Sequence, residues 1–419
     1  MRQLPWNDDV DVTVAALRGL APPPAEVRAA AEAIVADVRA RGDDAVREQT
    51  ARLDRVELPE EYAVPEAETA ERLAALTPEL RAALETAAVN IRAYHEREAV
   101  VPWRETLAQG QVVGQEVVPL AAAGLYVPGG LADYPSSVLM TAIPAQVAGV
   151  ERIVVCSPPR PGGGAAAGVA AACALLGIEL LYPIGGAQAV AAMALGTARV
   201  PRCDVIVGPG NAYVTEAKRL LVGEVGIDSL AGPSEVLIIA DHSGRPDWLA
   251  ADLLAQAEHG SGAMACLADV GGSLYAPVAA AVERFSADLG VATDNVVIVA
   301  CPDRAAAVAL TNAFAPEHLE LHCEDARDLL PGVRNAGAVF VGAHAATAFA
   351  DYAAGTNHVL PTGGSARFGQ GLSVDAFRKR MAVVELDGPA AAALAPAVAT
   401  IADEEGLRAH ALSARLRAE

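Results

Sequence analysis

Seven short β-branched runs separated by alanine-rich stretches constrain this chain more than any other feature: RIVVC, IELLYP, DVIVG, EVLIIA, MACLADV, NVVIVA and AVFVG. Strands that read as continuous apolar runs are buried on both faces, and the intervening helical stretches supply the covers. The alternation therefore predicts parallel sheets flanked by helices. The runs fall into two sets, one before and one after the AGPSE turn at Ala231–Glu235, which predicts two α/β units facing each other across a crevice. Ligands of such folds are expected in loops at the carboxyl ends of the strands.

The region before about residue 110 reads as mainly helical. After Pro22-Pro23-Pro24, Val27, Ala31, Ile34, Val35 and Val38 mark one helix face, Gly42 ends that helix, and Asp43-Asp44 can cap the next. Thr77-Pro78 is an N-cap and first-residue pair for a longer helix with Leu80, Leu84, Ala87, Ile91 and Tyr94 on one side. At the other end, Gly388-Pro389 opens an alanine-rich tail too short to hold a core alone, so it must dock on its own body or on a partner.

With 419 residues the chain exceeds what one core usually serves, so at least two domains are expected. A formal charge of −21 disfavours nucleic acid and anionic membranes and favours a small-molecule ligand. The start lacks the order of a signal peptide, and the six cysteines show no paired spacing. These features predict reduced thiols and a cytoplasmic location.

Three turns between strand and helix are rich in glycine: YVPGG (Tyr126–Gly130), GGAQA (Gly185–Ala189) and GPGNAYVTEAK (Gly208–Lys218). None completes GxGxxG, and each alone reads rather as an ordinary tight connection. Together they suggest a nucleotide crevice. In DLLAQAEHG, Gln256 and His259 project from one side of a helix end, where they could share a metal or simply favour the negative helix terminus. In FAPEHLEL, Pro316 can open a helix with Glu317 and His318 in its first turn, an acid and an imidazole suited to stepwise proton transfer or merely solvent-facing. Asp351 ends a helical stretch that Gly355 can cap, and His358 follows in a polar, glycine-rich loop. Glu405 and His410 lie five residues apart in the tail, about 140° around a helix, and alone read as surface. His95, His242, His322 and His344 show no chemical company.

Taken together, GLYVPGGLADYPSSVLMTAIPAQVAGV, PIGGAQAVAAMALGT, DVIVGPGNAYVTEAKR, GIDSLAGPSEVLIIAD, DLLAQAEHG, FAPEHLEL and DYAAGTNHVLPTGGSARFGQGLSV closely resemble the histidinol dehydrogenase family, in order and over nearly the whole chain. The resemblance implies two Rossmann-like α/β units in an intertwined homodimer. Its domains would be residues 23–125 with 235–380, residues 126–234 for NAD, a tail over 381–419, and an N-terminal segment 1–22 packing with the C-terminal region. It implies oxidation of L-histidinol to L-histidine with NAD⁺, zinc on Gln256, His259, Asp351 and a second subunit's His410, and catalysis by Glu317 and His318. The zinc ligands and the catalytic pair would themselves meet substrate, together with Ser234, His358 and Glu405, while Tyr126, Gln188 and Asn211 would meet NAD. Two imidazoles, one carboxylate and one amide suit a borderline cation. The loop Gly260-Ser261-Gly262-Ala263 departs from the Pro-Asp common in relatives. A same-fold dehydrogenase acting on another alcohol, such as a sulfonated diol, and a non-catalytic zinc-stabilised scaffold are the alternatives.

Overall fold

The computed structural model describes residues 1–20, 27–98, 100–129, 132–260 and 262–418, so the readings at Pro22–Pro24, Gly130 and Ser261 lie outside the described residues. All seven β-branched runs form strands, in two parallel sheets. The six-stranded sheet runs Arg2–Leu4, Val296–Cys301, Met264–Val270, Glu235–Ala240, His318–His322, Ala338–Val341. The five-stranded sheet runs Leu180–Tyr182, Arg152–Cys156, Ala122–Tyr126, Val205–Val207, Gly226–Ile227. Both are covered by helices, and their apolar strand residues fill the main cores. A third, antiparallel sheet joins Arg378–Glu385, Val112–Pro119 and Trp103–Thr106.

Local signals act as read at the N-terminal helices. Helix Arg28–Arg41 stops at Gly42, whose φ is 56°, and Thr77 caps helix Pro78–His95 by accepting the Leu80 amide. Leu84, Ala87 and Ile91 are buried, whereas Leu80 and Tyr94 are exposed. These helices pack on the helices of the five-stranded sheet. The unit expected over 126–234 therefore also holds much of the chain before it, and a boundary at residue 125 would cut strand Ala122–Tyr126. Among the described residues, the segment before residue 22 packs on the six-stranded sheet and its helices. Its strand Arg2–Leu4 extends the six-stranded sheet, and helix Val10–Arg18 lies on helix Arg304–Phe314. All six cysteines are buried and unpaired.

The tail forms helices Gly388–Glu404 and Arg408–Arg415, which pack chiefly on each other around Ala399, Ala402 and Ala411. Ile401, Leu412 and Leu416 are more than half exposed on this arm. Gly406, with φ 76°, separates the helices, so Glu405 and His410 do not share one helix as expected, and both are exposed. No helix among the described residues is long and apolar enough to cross a membrane.

Candidate active site

Glu317 and His318 do not open a helix. Helix Arg304–Phe314 ends at Ala315, a left-handed residue with φ 52°, and Pro316 leads directly into strand His318–His322. Proline is tolerated where a strand begins, and pairing with strand Glu235–Ala240 outweighs its helix-opening preference. The two side chains consequently lie at the amino edge of the six-stranded sheet, not at the carboxyl edge expected of ligand sites in parallel sheets. Helix Pro246–Ala257 runs back against the strands and brings Gln256 and His259 to that same edge.

Hydrogen bonds fix the roles open to the pair. Glu317 Oε2 accepts from Ser234 Oγ at 2.5 Å and from the Glu235 amide at 2.9 Å. His318 Nδ1 lies 3.1 Å from the Glu235 carbonyl oxygen, which can only accept, so Nδ1 carries the proton. In the neutral ring Nε2 is then the bare lone pair. It has no hydrogen-bond partner and sits 3.6 Å from Asp351 Oδ1. Burial pushes the Glu317 carboxyl up to about 6. Burial opposes a charged His318 ring, but Glu317 and Asp351 outweigh it and leave its pKa raised. Burial likewise works against the Asp351 carboxylate, yet His318 keeps it below its ordinary value and therefore ionised.

Asp351 lies near the end of helix Thr347–Tyr352. Gly355 does not cap this helix; its φ of 114° lets the backbone pass where a Cβ would lie 2.8 Å from the Asn90 carbonyl oxygen. His358 Nδ1 donates to the Asp351 carbonyl oxygen at 3.0 Å, and burial lowers the His358 pKa. Gln256 is buried with no partner for Nε2, and His259 is exposed beside it. His259, Glu317, His318, Asp351 and His358 lie close enough to influence one another's charge. Glu405 and His410 stand apart on the arm.

The three glycine turns all follow strands of the five-stranded sheet, at its carboxyl edge. Tyr126 is buried, and its hydroxyl accepts the Gly186 amide at 3.1 Å. Gln188 is buried with Oε1 unpartnered, while Asn211 is exposed and caps helix Ala212–Leu221. Gly208 has φ 108°, and a Cβ there would meet the Tyr126 carbonyl oxygen at 2.1 Å. His358 Nε2 lies 3.5 Å from Ser137 Oγ, at the start of the helix that follows the first glycine turn. That contact brings the carboxyl edge of one sheet towards the amino edge of the other.

Several supporting residues escaped the sequence reading. Arg18 pairs with Glu235, stacks over Phe314 at 3.9 Å and donates to the Phe314 carbonyl, fixing the strand start that holds Glu317. Buried Lys218 donates to the Gly208 carbonyl at 2.6 Å and to Asp228 at 2.7 Å, clamping the third glycine turn. His95 has company after all, with Glu98 at 2.7 Å and Asn357 at 3.1 Å. His322 also has company, 3.3 Å from Glu320.

Comparison with known proteins decides what this arrangement belongs to. The family model for histidinol dehydrogenase matches residues 22–418. The chain belongs to the histidinol dehydrogenase family. It is 50% identical over 400 residues to the histidinol dehydrogenase of Cereibacter sphaeroides, covering 94% of this chain and 92% of that protein. With the corresponding protein of Rhizobium meliloti the identity is 47%, at the same coverage. The crystal structure of histidinol dehydrogenase from Elizabethkingia anophelis superposes with a TM-score of 0.93 at 31% identity, covering 100% of this chain and 98% of that one. Family membership makes the chain an oxidoreductase.

Proposed function

We propose that the chain catalyses the zinc-dependent, NAD-linked oxidation of L-histidinol to L-histidine through the aldehyde, the last step of histidine biosynthesis. The observation that carries the reading is the bare Nε2 of buried His318, held as an acceptor by the Glu235 carbonyl and adjoining Glu317. In each oxidation His318 Nε2 accepts the proton of a substrate hydroxyl as the carbon–hydrogen bond breaks. Tyr126, Gln188 and Asn211 would hold NAD⁺, which when bound would supply the hydride acceptor for both steps. Between them Glu317, ionised at neutral pH and pinned through Oε2, takes a proton from water as its oxygen joins the aldehyde carbon, and the His318 imidazolium gives its proton to the aldehyde oxygen, which restores the bare Nε2. The hydrate then presents a hydroxyl to His318 again. Ser234 orients Glu317 and lies where substrate would reach it; His358, neutral and tied to Asp351, faces the glycine turns.

Gln256, His259, Asp351 and a second copy's His410 would hold the zinc. An ionised Asp351, a buried amide and an adjoining imidazole suit a borderline divalent cation, and the exposed arm bearing His410 and Glu405 suits delivery to another copy. When bound, the ion orients the substrate's imidazole and amine. The test is NADH formation from L-histidinol in protein stripped by chelator and then reloaded. Activity lost with the metal and restored by zinc supports the reading; metal retained with no NAD⁺ reduction contradicts it.

A further inference from the structure

The elements that build the active site carry a second group of ligand-type side chains one layer deeper. Asp252 precedes Gln256 by one helical turn, and Glu320 and His322 follow His318 at alternate strand positions, so all three project beneath the acid–base pair. One ligand atom from each lies within 4.8 Å of the others. His322 Nε2 is 3.3 Å from Glu320 Oε2 and 3.8 Å from Asp252 Oδ2. Donors bonded tetrahedrally to one zinc stand roughly 3.3 Å apart, so the group needs little adjustment to close on a cation.

Its unsatisfied atoms point the same way. His322 is 2% and Glu320 0% exposed. Neither nitrogen of His322 nor Glu320 Oε2 has a hydrogen-bond partner. Two carboxylates thus share a buried space with a neutral-capable ring, and among the described residues no lysine or arginine pairs with either. Burying such charge without a compensating cation or proton is costly. A cavity of about 290 Å³, lined by Trp248, His344 and Phe349 among others, reaches Asp252.

We propose that Asp252, Glu320 and His322 form a second divalent-cation site, for zinc or manganese, separate from the Gln256–His259–Asp351 group. Two carboxylate oxygens and one imidazole nitrogen suit either ion and leave a position for water. The role is structural. Glu320 Oε1 already accepts from the Thr347 amide at 2.7 Å and hydroxyl at 2.8 Å, at the start of the helix that bears Asp351. A cation on Oε2 would thereby tie the helix of Gln256, the strand of His318 and the helix of Asp351 to one point.

Crystals of the wild-type protein soaked in zinc or manganese, with anomalous data on both sides of each absorption edge, test this directly. A peak between Asp252, Glu320 and His322 is the expected result. No peak there at saturating metal, with Asp252 and Glu320 at hydrogen-bond distance instead, means a shared proton fills the role and overturns the proposal. Metal content separates the two sites. His322→Ala should lose one equivalent per subunit and His259→Ala a different one, with both lost in the double variant. Unchanged content in folded His322→Ala, or in the milder His322→Gln, contradicts the second site whatever becomes of the first.

Discussion

The two α/β units offer opposite edges of their sheets to the same region. The five-stranded unit presents its carboxyl edge, where Tyr126, Gln188 and Asn211 sit in glycine turns. The six-stranded unit presents its amino edge, where Glu317, His318 and Gln256 are buried titratable or polar groups. A carboxyl edge leads into helix N-termini, which favour anions such as phosphates. An amino edge receives the ends of returning helices, which favours cations and imidazoles. On the proposed reading this is a division of labour: one unit would shape a cofactor crevice with small residues, and the other would hold the proton-transferring and metal-binding side chains.

That division can be broken most severely at the amino edge. His318→Asn should lower turnover by roughly 10²–10⁴-fold for both oxidations while zinc content stays intact; NADH assays with histidinol and with the aldehyde check it, and near wild-type rates would remove the assigned base. Glu317→Gln should cost less, about 10²-fold, and more for the aldehyde than for the alcohol, because only the former needs water activated. Equal losses in separate assays of the two substrates would dissolve the distinction.

At the carboxyl edge the effects should be of binding and stability. Gly208→Ala forces a Cβ into the Tyr126 carbonyl oxygen, so the backbone must shift, on top of a positive-φ strain of about 1–3 kcal/mol. Thermal unfolding should shift down, and the KM for NAD⁺ should rise more than that for histidinol. The smallest effect sharpens the electrostatics. In metal-free protein the His318 imidazolium should hold its proton to higher pH than a free imidazole, since Glu317 and Asp351 outweigh the burial that opposes it. The lone pair becomes available only as pH rises through this raised pKa, and activity falls as pH drops through it. Zinc should move the titration downward by repelling the imidazolium, as followed by ¹⁵N NMR of the ring.

Much of the fold was legible because buried parallel strands leave apolar runs and because Thr77-Pro78 and Gly42 act locally. The sheet edge used by Glu317 and His318 was not. It depends on strand pairing between residues more than 80 positions apart, which overrode the helical reading of Pro316. The site residues could be gathered only by family resemblance, since Gln256, Asp351 and His410 each look ordinary in their own segment. Glu320 and His322 were invisible for a further reason: alternate residues of a buried strand read as core unless the facing Asp252 is known.

The central claim is that one catalytic centre takes three metal ligands from the body of one copy and the fourth from the arm of another. Mixing Gln256→Ala with His410→Asn subunits tests it most directly. Each mixed dimer would then hold one intact centre, so random pairing should restore about a quarter of wild-type activity from two inactive parents. Verified mixed dimers that stay inactive would show that His410 serves its own chain and would contradict the shared site.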